Sequence, residues 1–154
     1  MFRPGSPGYE ELLHLASLAT RYKLLDSQRA RWRELTTRLL GSIREHQTFT
    51  PERQYLRAPV ELEVDILAPD EMASLATSTI GAGGLSIRIA EEIPTGTQVD
   101  LSIKLPGRRV PLLAKGQVVW SYPGAVGVAF VDLFQHDREH LEALAVQALL
   151  RGET

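Results

Sequence analysis

Two arginines four positions apart, Arg53 and Arg57, stand directly before a strand-like segment. A guanidinium group can donate two parallel hydrogen bonds to a phosphate or stack on a purine face. Paired arginines on a flexible entry segment therefore suit a nucleotide anion. Taken alone, the pair is equally consistent with two solvated surface arginines, and that simpler interpretation stays open.

A second pattern, His136-Asp137-Arg138-Glu139-His140, matches the H-x-x-E-H signature of a class of zinc proteases. A catalytic zinc site needs a third protein ligand and a cleft, and only Glu142 and Glu153 follow His140 as possible ligands. The preferred interpretation is the solvated first turn of a helix, whose acidic residues interact favourably with the helix dipole. We expect no metal and no cofactor.

The glycine-rich stretch Gly81-Ala82-Gly83-Gly84 leads into a strand-like segment. Loops that cradle phosphates open onto a helix amino terminus, so a nucleoside-triphosphate site is disfavoured. A turn that lets a ligand approach the backbone stays possible. No serine lies in a nucleophile-elbow motif, and the sequence predicts a protein that is not an enzyme.

Composition places these residues in one soluble domain. The chain has 154 residues, 44% of them hydrophobic, which favours one main core. It has no cysteine, which excludes disulfides and thiolate metal sites and fits a cytoplasmic location. No apolar run approaches the roughly 20 residues of a membrane span, and residues 1–11 lack the apolar stretch of a signal peptide.

The amino-terminal part predicts a helical hairpin. Residues 9–40 contain neither glycine nor proline, and two apolar stripes lose register near Asp26 and Ser27, both good helix N-caps. Short helices are marginal alone, so the stripes must be buried. We expect part of them to meet a partner protein or a second copy of the chain, through Leu12, Tyr22, Trp32, Leu35 and Leu39.

Beyond residue 52 the apolar period changes from helical to alternating, most clearly in Pro59–Leu67. Six strands are predicted, at 59–67, 75–80, 85–90, 99–105, 110–122 and 126–133, followed by an amphipathic helix at 135–150. Short turns without intervening helices favour an antiparallel barrel or sandwich. The predicted organisation is a flexible leader (1–8), a helical hairpin (9–46), a linker (47–52) and a mainly β domain with its carboxy-terminal helix (53–154).

An ordered set of motifs resembles the PilZ family of bacterial regulators. It comprises Arg-x-x-x-Arg at 53–57, Gly-Gly-Leu at 83–85, Pro-x-Gly-Thr-x-Val at 94–99, Gly-x-Val-Val-Trp at 116–120 and Gly-Val-Ala-Phe-Val-Asp-Leu at 127–133. The resemblance covers about residues 51–150. It implies a six-stranded antiparallel barrel with a carboxy-terminal helix, and two arginines, here Arg53 and Arg57, that clamp cyclic di-GMP.

The resemblance also implies a second ligand motif, Asp or Asn, any residue, Ser, two residues, then Gly. In this chain it falls on residues 79–84, with Thr79 replacing the acid or amide, Gly81 replacing the serine, and Gly84 retained. A lost hydrogen bond of this kind costs about 1 to 3 kcal/mol. The resemblance therefore implies a regulatory adaptor in motility or related signalling, working through protein contacts, with weak or absent cyclic di-GMP binding.

The alternative is a functional cyclic di-GMP receptor that uses Arg53 and Arg57. Nucleic-acid binding is disfavoured although residues 21–57 carry nine basic and four acidic side chains. Their arginines are spread around the predicted helices and do not form the clustered face that DNA or RNA requires.

Overall fold

The protein is described from a computed structural model covering residues 5–46, 56–68 and 71–151. Helix α1 spans Pro7–Ala19 and helix α2 spans Asp26–His46, so the predicted break between two helices is confirmed. Helix α1 begins two residues before the expected Tyr9, because Ser6 caps it by accepting a hydrogen bond from the Tyr9 amide and a proline occupies the first helical position.

Seven strands and one helix follow. The strands are β1 (Arg57–Ala58), β2 (Glu63–Ala68), β3 (Glu71–Gly81), β4 (Gly84–Arg88), β5 (Gln98–Ile103), β6 (Leu112–Tyr122) and β7 (Ala125–Asp132), and helix α3 spans Gln135–Arg151. Antiparallel pairing runs β3-β2-β5-β6-β7-β4 and returns to β3, which closes a six-stranded barrel. The predicted fold class is confirmed. Strand β1, which adds to β3, was not predicted, because two residues are too few to show a period.

Alternation along the strands fills the barrel. Val64 and Ile66 of β2 point inward while Glu63 stays exposed, and β6 alternates buried and exposed residues from Leu112 to Val119. The enclosed side chains are almost entirely Ile, Leu and Val. Each buried residue of this size contributes about 1.5 to 3 kcal/mol, so this aliphatic core accounts for much of the stability of the barrel.

A second core lies between the three helices. Helix α3 packs Leu141 against the barrel core and presents Ala143, Val146 and Leu150 to the amino-terminal helices. The Tyr9 hydroxyl donates to the Leu150 carbonyl at 3.0 Å, which ties the start of α1 to the end of α3. Helix α3 is therefore shared by two cores.

This second core corrects the expectation that the helical stripes face a partner. Leu12, Trp32, Leu35 and Leu39 are at most 5% exposed within the single chain, and only Tyr22 remains on the surface at 67%. Helix α3 does not use all of its apolar surface to cover the barrel. Its second apolar face instead receives the stripes of α1 and α2. No helix in the described part of the chain is long and apolar enough to cross a membrane.

Candidate ligand-binding surface

The turn between β3 and β4 gathers the predicted ligand residues that the structure describes. Arg57 in β1 is paired with Gly81 at the end of β3, Thr79 is paired with Ser86 in β4, and Gly84 opens β4. Arg53 lies outside the described residues. Arg57 and Thr79 are 22 positions apart in the sequence. Strand pairing nevertheless brings the two motifs together at one end of the barrel.

Gly81 is a glycine because another strand lies against it. A Cβ atom at this position would overlap the backbone carbonyl oxygen of Leu56, immediately before β1. No side chain fits here unless the short strand β1 moves away. The place that the second ligand motif gives to a serine is thus occupied by the backbone of β1.

The glycine at position 84 is also explained by the close approach of another strand. A Cβ atom there would overlap the carbonyl oxygen of Val128 in β7, and the Gly83 carbonyl accepts from the Phe130 amide at 3.0 Å. Glycine at 84 allows β4 and β7 to approach closely enough to close the barrel. Its retention is therefore explained without a ligand.

Hydroxyl groups form a connected network beside the turn. Thr79 Oγ1 and Ser86 Oγ are 2.6 Å apart, and Ser78 Oγ lies 2.8 Å from the same Ser86 oxygen. Ser78 reaches it because the register of β3 against β4 shifts between Thr77 and Thr79. Neither Ser78 nor Ser86 was identified from the sequence, since the bulge that joins them has no sequence signal.

Thr77 fixes the chain that leads from β1 into β2. Its buried hydroxyl donates to the Val60 carbonyl at 2.7 Å and accepts from the Leu62 amide at 2.9 Å. These bonds replace ladder pairing at the point where the chain leaves β1, and they hold residues 59–62 beside β3. The position of β1, and of Arg57 on it, depends on this anchor.

A polar cleft of about 480 Å³ lies next to this anchor. It is lined by Pro59, Val60, Glu61, Ala76, Thr77, Ser78 and Arg88. Arg88 and Glu61 are exposed and of opposite charge. The cleft can therefore offer a guanidinium group and hydroxyls to an anionic or hydrogen-bonding ligand, with Glu61 opposing a strongly negative one.

Helix α3 joins this turn to the amino-terminal helices. Arg138 donates to the Ala82 carbonyl at 2.9 Å, and the next residue, Glu139, accepts two hydrogen bonds from Arg29 of α2 at 2.6 and 3.0 Å. Glu142 accepts from the Trp32 indole at 2.6 Å, and burial raises the pKa of its carboxyl. Any displacement of the 82–84 turn would therefore be felt at the α2–α3 contact.

The two histidines of the H-x-x-E-H pattern lie in α3 away from this turn. His136 Nε2 is 3.3 Å from Asp137 Oδ1, while His140 is 2% exposed. Within residues 5–46, 56–68 and 71–151, no group of three or more histidine, aspartate or glutamate side chains is arranged to hold a metal ion. Glu139, the central acid of the pattern, is engaged by Arg29.

A solved structure has a fold similar to this architecture. The Bacillus subtilis inhibitor of motility MotI/DgrA superposes with a TM-score of 0.60 at 21% identity, over 72% of this chain and 57% of its own. The chain thus spans little more than half of that neighbour. The PilZ domain with c-di-GMP of YcgR from Escherichia coli gives a TM-score of 0.49 at 13% identity, over 66% of this chain and 93% of its own.

A comparison with curated protein sequences gave no match. The model of the PilZ domain family matches residues 51–147, which include all seven strands and most of α3. The closed six-stranded barrel, the shared helix and this match over more than half of the chain lead to one conclusion: the chain belongs to the PilZ domain family.

Proposed function

We propose that this protein is a cytoplasmic regulatory adaptor that acts through protein contacts and binds cyclic di-GMP weakly or not at all. The observation that carries the proposal is the position of β1 against Gly81. A ligand-reading side chain cannot project where the Leu56 carbonyl lies. The ligand would have to displace β1 before it could reach this part of the turn.

Thr79 supports the same proposal. Its hydroxyl is engaged with Ser86 at 2.6 Å, so a guanine edge would have to compete for it. A neutral hydrogen bond contributes about 0.5 to 1.5 kcal/mol, and exchanging one for another yields little net affinity. Thr79 therefore cannot replace the carboxylate or amide of the family motif.

The alternative, a functional cyclic di-GMP receptor, is favoured by a different observation. Arg57 is placed beside Gly81, and the cleft with Arg88 adjoins the same segment. Strand β1 has only two residues, so a ligand could displace it at modest cost. In that case Arg53 and Arg57 would hold the ligand against the barrel.

Isothermal titration of the full chain with cyclic di-GMP separates the two functions. We expect no isotherm at micromolar protein concentration. A micromolar isotherm that disappears in Arg57→Ala would establish the receptor and contradict the adaptor proposal. Arg109→Ala, which removes an exposed arginine elsewhere, is the matched control.

An exposed apolar surface offers a place for the protein contact. Leu113, Val131 and Phe134 are 73%, 62% and 77% exposed. Lys115 of β6 is paired with Asp132 of β7. Leu113 lies two residues before Lys115, and Phe134 lies two residues after Asp132, so both lie just beyond this pair. Large apolar side chains grouped in this way are typical of interaction surfaces. Motility control is the process we propose, because the similar Bacillus subtilis structure is that of an inhibitor of motility.

The adaptor proposal is tested with the protein as bait in extract of its host. We expect a protein captured by the wild-type chain to be lost in Leu113→Asp with Phe134→Asp. Val119→Asp places the same charge on a half-exposed residue further along β6 and should leave capture unchanged. Equal capture by all three chains would remove this surface from the proposal, leaving Tyr22 as the exposed candidate.

A further inference from the structure

A cleft of about 770 Å³ lies between the segment after α1, the turn at 106–108 and helix α3. Residues four apart in a helix share a face. His136 and His140 therefore lie on one face of α3, which lines this cleft. Arg138 and Glu142 lie on the opposite face, near the β3–β4 turn. The cleft is therefore separate from the surface described above. Its volume is in the range of small-molecule sites.

Positive charge dominates the lining. Arg21, Lys23 and Arg108 line the cleft, and no ion pair involves Arg21 or Lys23 in the described portion of the chain. Arg108 donates to Asp137 at 2.9 Å, and this bond uses one of its five N–H donors. The remaining donors, together with Arg21 and Lys23, leave a surplus of positive charge.

His140 adds a buried polar group to the lining of this cleft. It lines the cleft and is 98% buried, since only 2% is exposed, and its Nε2 atom has no hydrogen-bond partner. Burial first, and the charge of Arg108 next, lower the pKa of His140 to about 4. The imidazole is thus neutral at pH 7. A buried polar nitrogen without a partner is uncommon in folded proteins.

We propose that this cleft binds a phosphorylated small molecule of about mononucleotide size. Phosphate oxygens would accept from Arg21, Lys23 and Arg108, and the neutral His140 ring would lie beside the bound ligand. Arginine favours phosphate because its planar fork can make two parallel hydrogen bonds to it. Tyr22, also in the lining and 67% exposed, is placed to cover an aromatic ring of the ligand.

The experiment uses the full chain with ¹⁵N-labelled histidine, titrated separately with ADP, pyrophosphate and adenosine. We expect ADP and pyrophosphate to shift the ring nitrogen signals of His140, and adenosine to leave them unchanged. ADP should bind more tightly than pyrophosphate, and Tyr22→Ala should abolish that difference. Equal affinity for the two probes in the wild-type chain would contradict the nucleotide-sized ligand.

Arg21→Ala with Lys23→Ala is the decisive variant, because both side chains are exposed and their loss should not affect folding. Charge-assisted hydrogen bonds are strong enough that we expect ADP affinity to fall about tenfold or more. Lys115→Ala, an exposed cation on the outer face of β6, is the control and should have no effect. Absence of any His140 shift at millimolar ADP, or equal weakening by the control, would overturn the proposal.

Discussion

The barrel core and the helical core are built on different principles. The barrel is filled by aliphatic side chains from alternating strand positions. The helical core also contains Trp32 and Tyr9, and it is bordered by part-buried hydrogen bonds that Arg29 and Trp32 of α2 donate to Glu139 and Glu142. An apolar core tolerates change gradually, whereas a buried charge depends on its particular partner. The helical layer should therefore be the more specific and the more easily broken of the two.

Removal of the helices is expected to have the largest effect. A chain beginning at Phe49 would expose Ala143, Val146 and Leu150 and would leave Glu139 without Arg29. We expect it to be insoluble or molten, with near-ultraviolet circular dichroism lost. A chain beginning at Gly5 is the control and should fold normally. A soluble, fully folded monomer from Phe49 would show that the barrel does not need the second core.

Arg29→Ala tests the buried contact directly. The side chains of Arg29 and Glu139 are 16% and 7% exposed, and removal of one partner strands the other charge. Such losses cost about 3 to 5 kcal/mol, measurable by urea unfolding. Arg31→Ala removes a partly exposed arginine bound to Glu11 and should cost much less than Arg29→Ala, because solvent screens that ion pair. Similar losses of stability for both variants would contradict the view that the buried Arg29–Glu139 contact matters more than the Arg31–Glu11 contact.

Gly81→Ala and Gly41→Ala compare a glycine of the barrel with a glycine of helix α2. A Cβ at Gly81 overlaps the Leu56 carbonyl, and we expect a loss of about 1 to 3 kcal/mol in the free energy of unfolding. Gly41→Ala in α2 meets nothing within 4 Å and should gain about 0.5 to 1 kcal/mol from the higher helix propensity of alanine. If Gly81→Ala is neutral, β1 does not hold its position against β3.

The stability of the helical side should also depend on pH. Burial lowers the pKa of His140 from 6.5 to about 4. Between these two pH values His140 is mainly protonated in the unfolded chain and mainly neutral in the folded chain. The contribution of His140 to the free energy of unfolding is therefore fully present above pH 6.5 and is lost as the pH falls towards 4. Between pH 7 and pH 5 we expect a loss of about 2 kcal/mol, measured by urea unfolding. His140→Gln should reduce this pH dependence; an unchanged slope would contradict the assignment.

The smallest expected effect is that of Glu142→Gln. Burial raises the pKa of Glu142, which means that its charged form is held at a cost, and a glutamine oxygen can still accept from Trp32. We expect a change within about 1 kcal/mol at pH 7. Glu142→Leu, which leaves the indole N–H without an acceptor, should cost more. The reverse order would mean that the charge itself stabilises the contact.

The local elements could be predicted from the sequence alone. Alternation in Val60 to Ile66 and its counterparts predicted six strands, and the loss of register near Asp26 predicted two helices, because both patterns arise from neighbouring residues. The ordered motifs from Arg53 to Leu133 indicated the family. The resemblance also named Arg57, Thr79, Gly81 and Gly84 as expected ligand residues, while periodicity alone could not have grouped them.

Which surfaces these elements bury is visible only in the folded chain. The apolar stripe with Trp32 and Leu35 has the same pattern whether it meets another protein or α3, and the choice depended on the second face of α3. The overlap of a Gly81 side chain with β1, the hydroxyl network at Ser86 and the unpartnered nitrogen of His140 are likewise invisible in the sequence. Each depends on atoms far apart along the chain, and local patterns carry no information about such contacts.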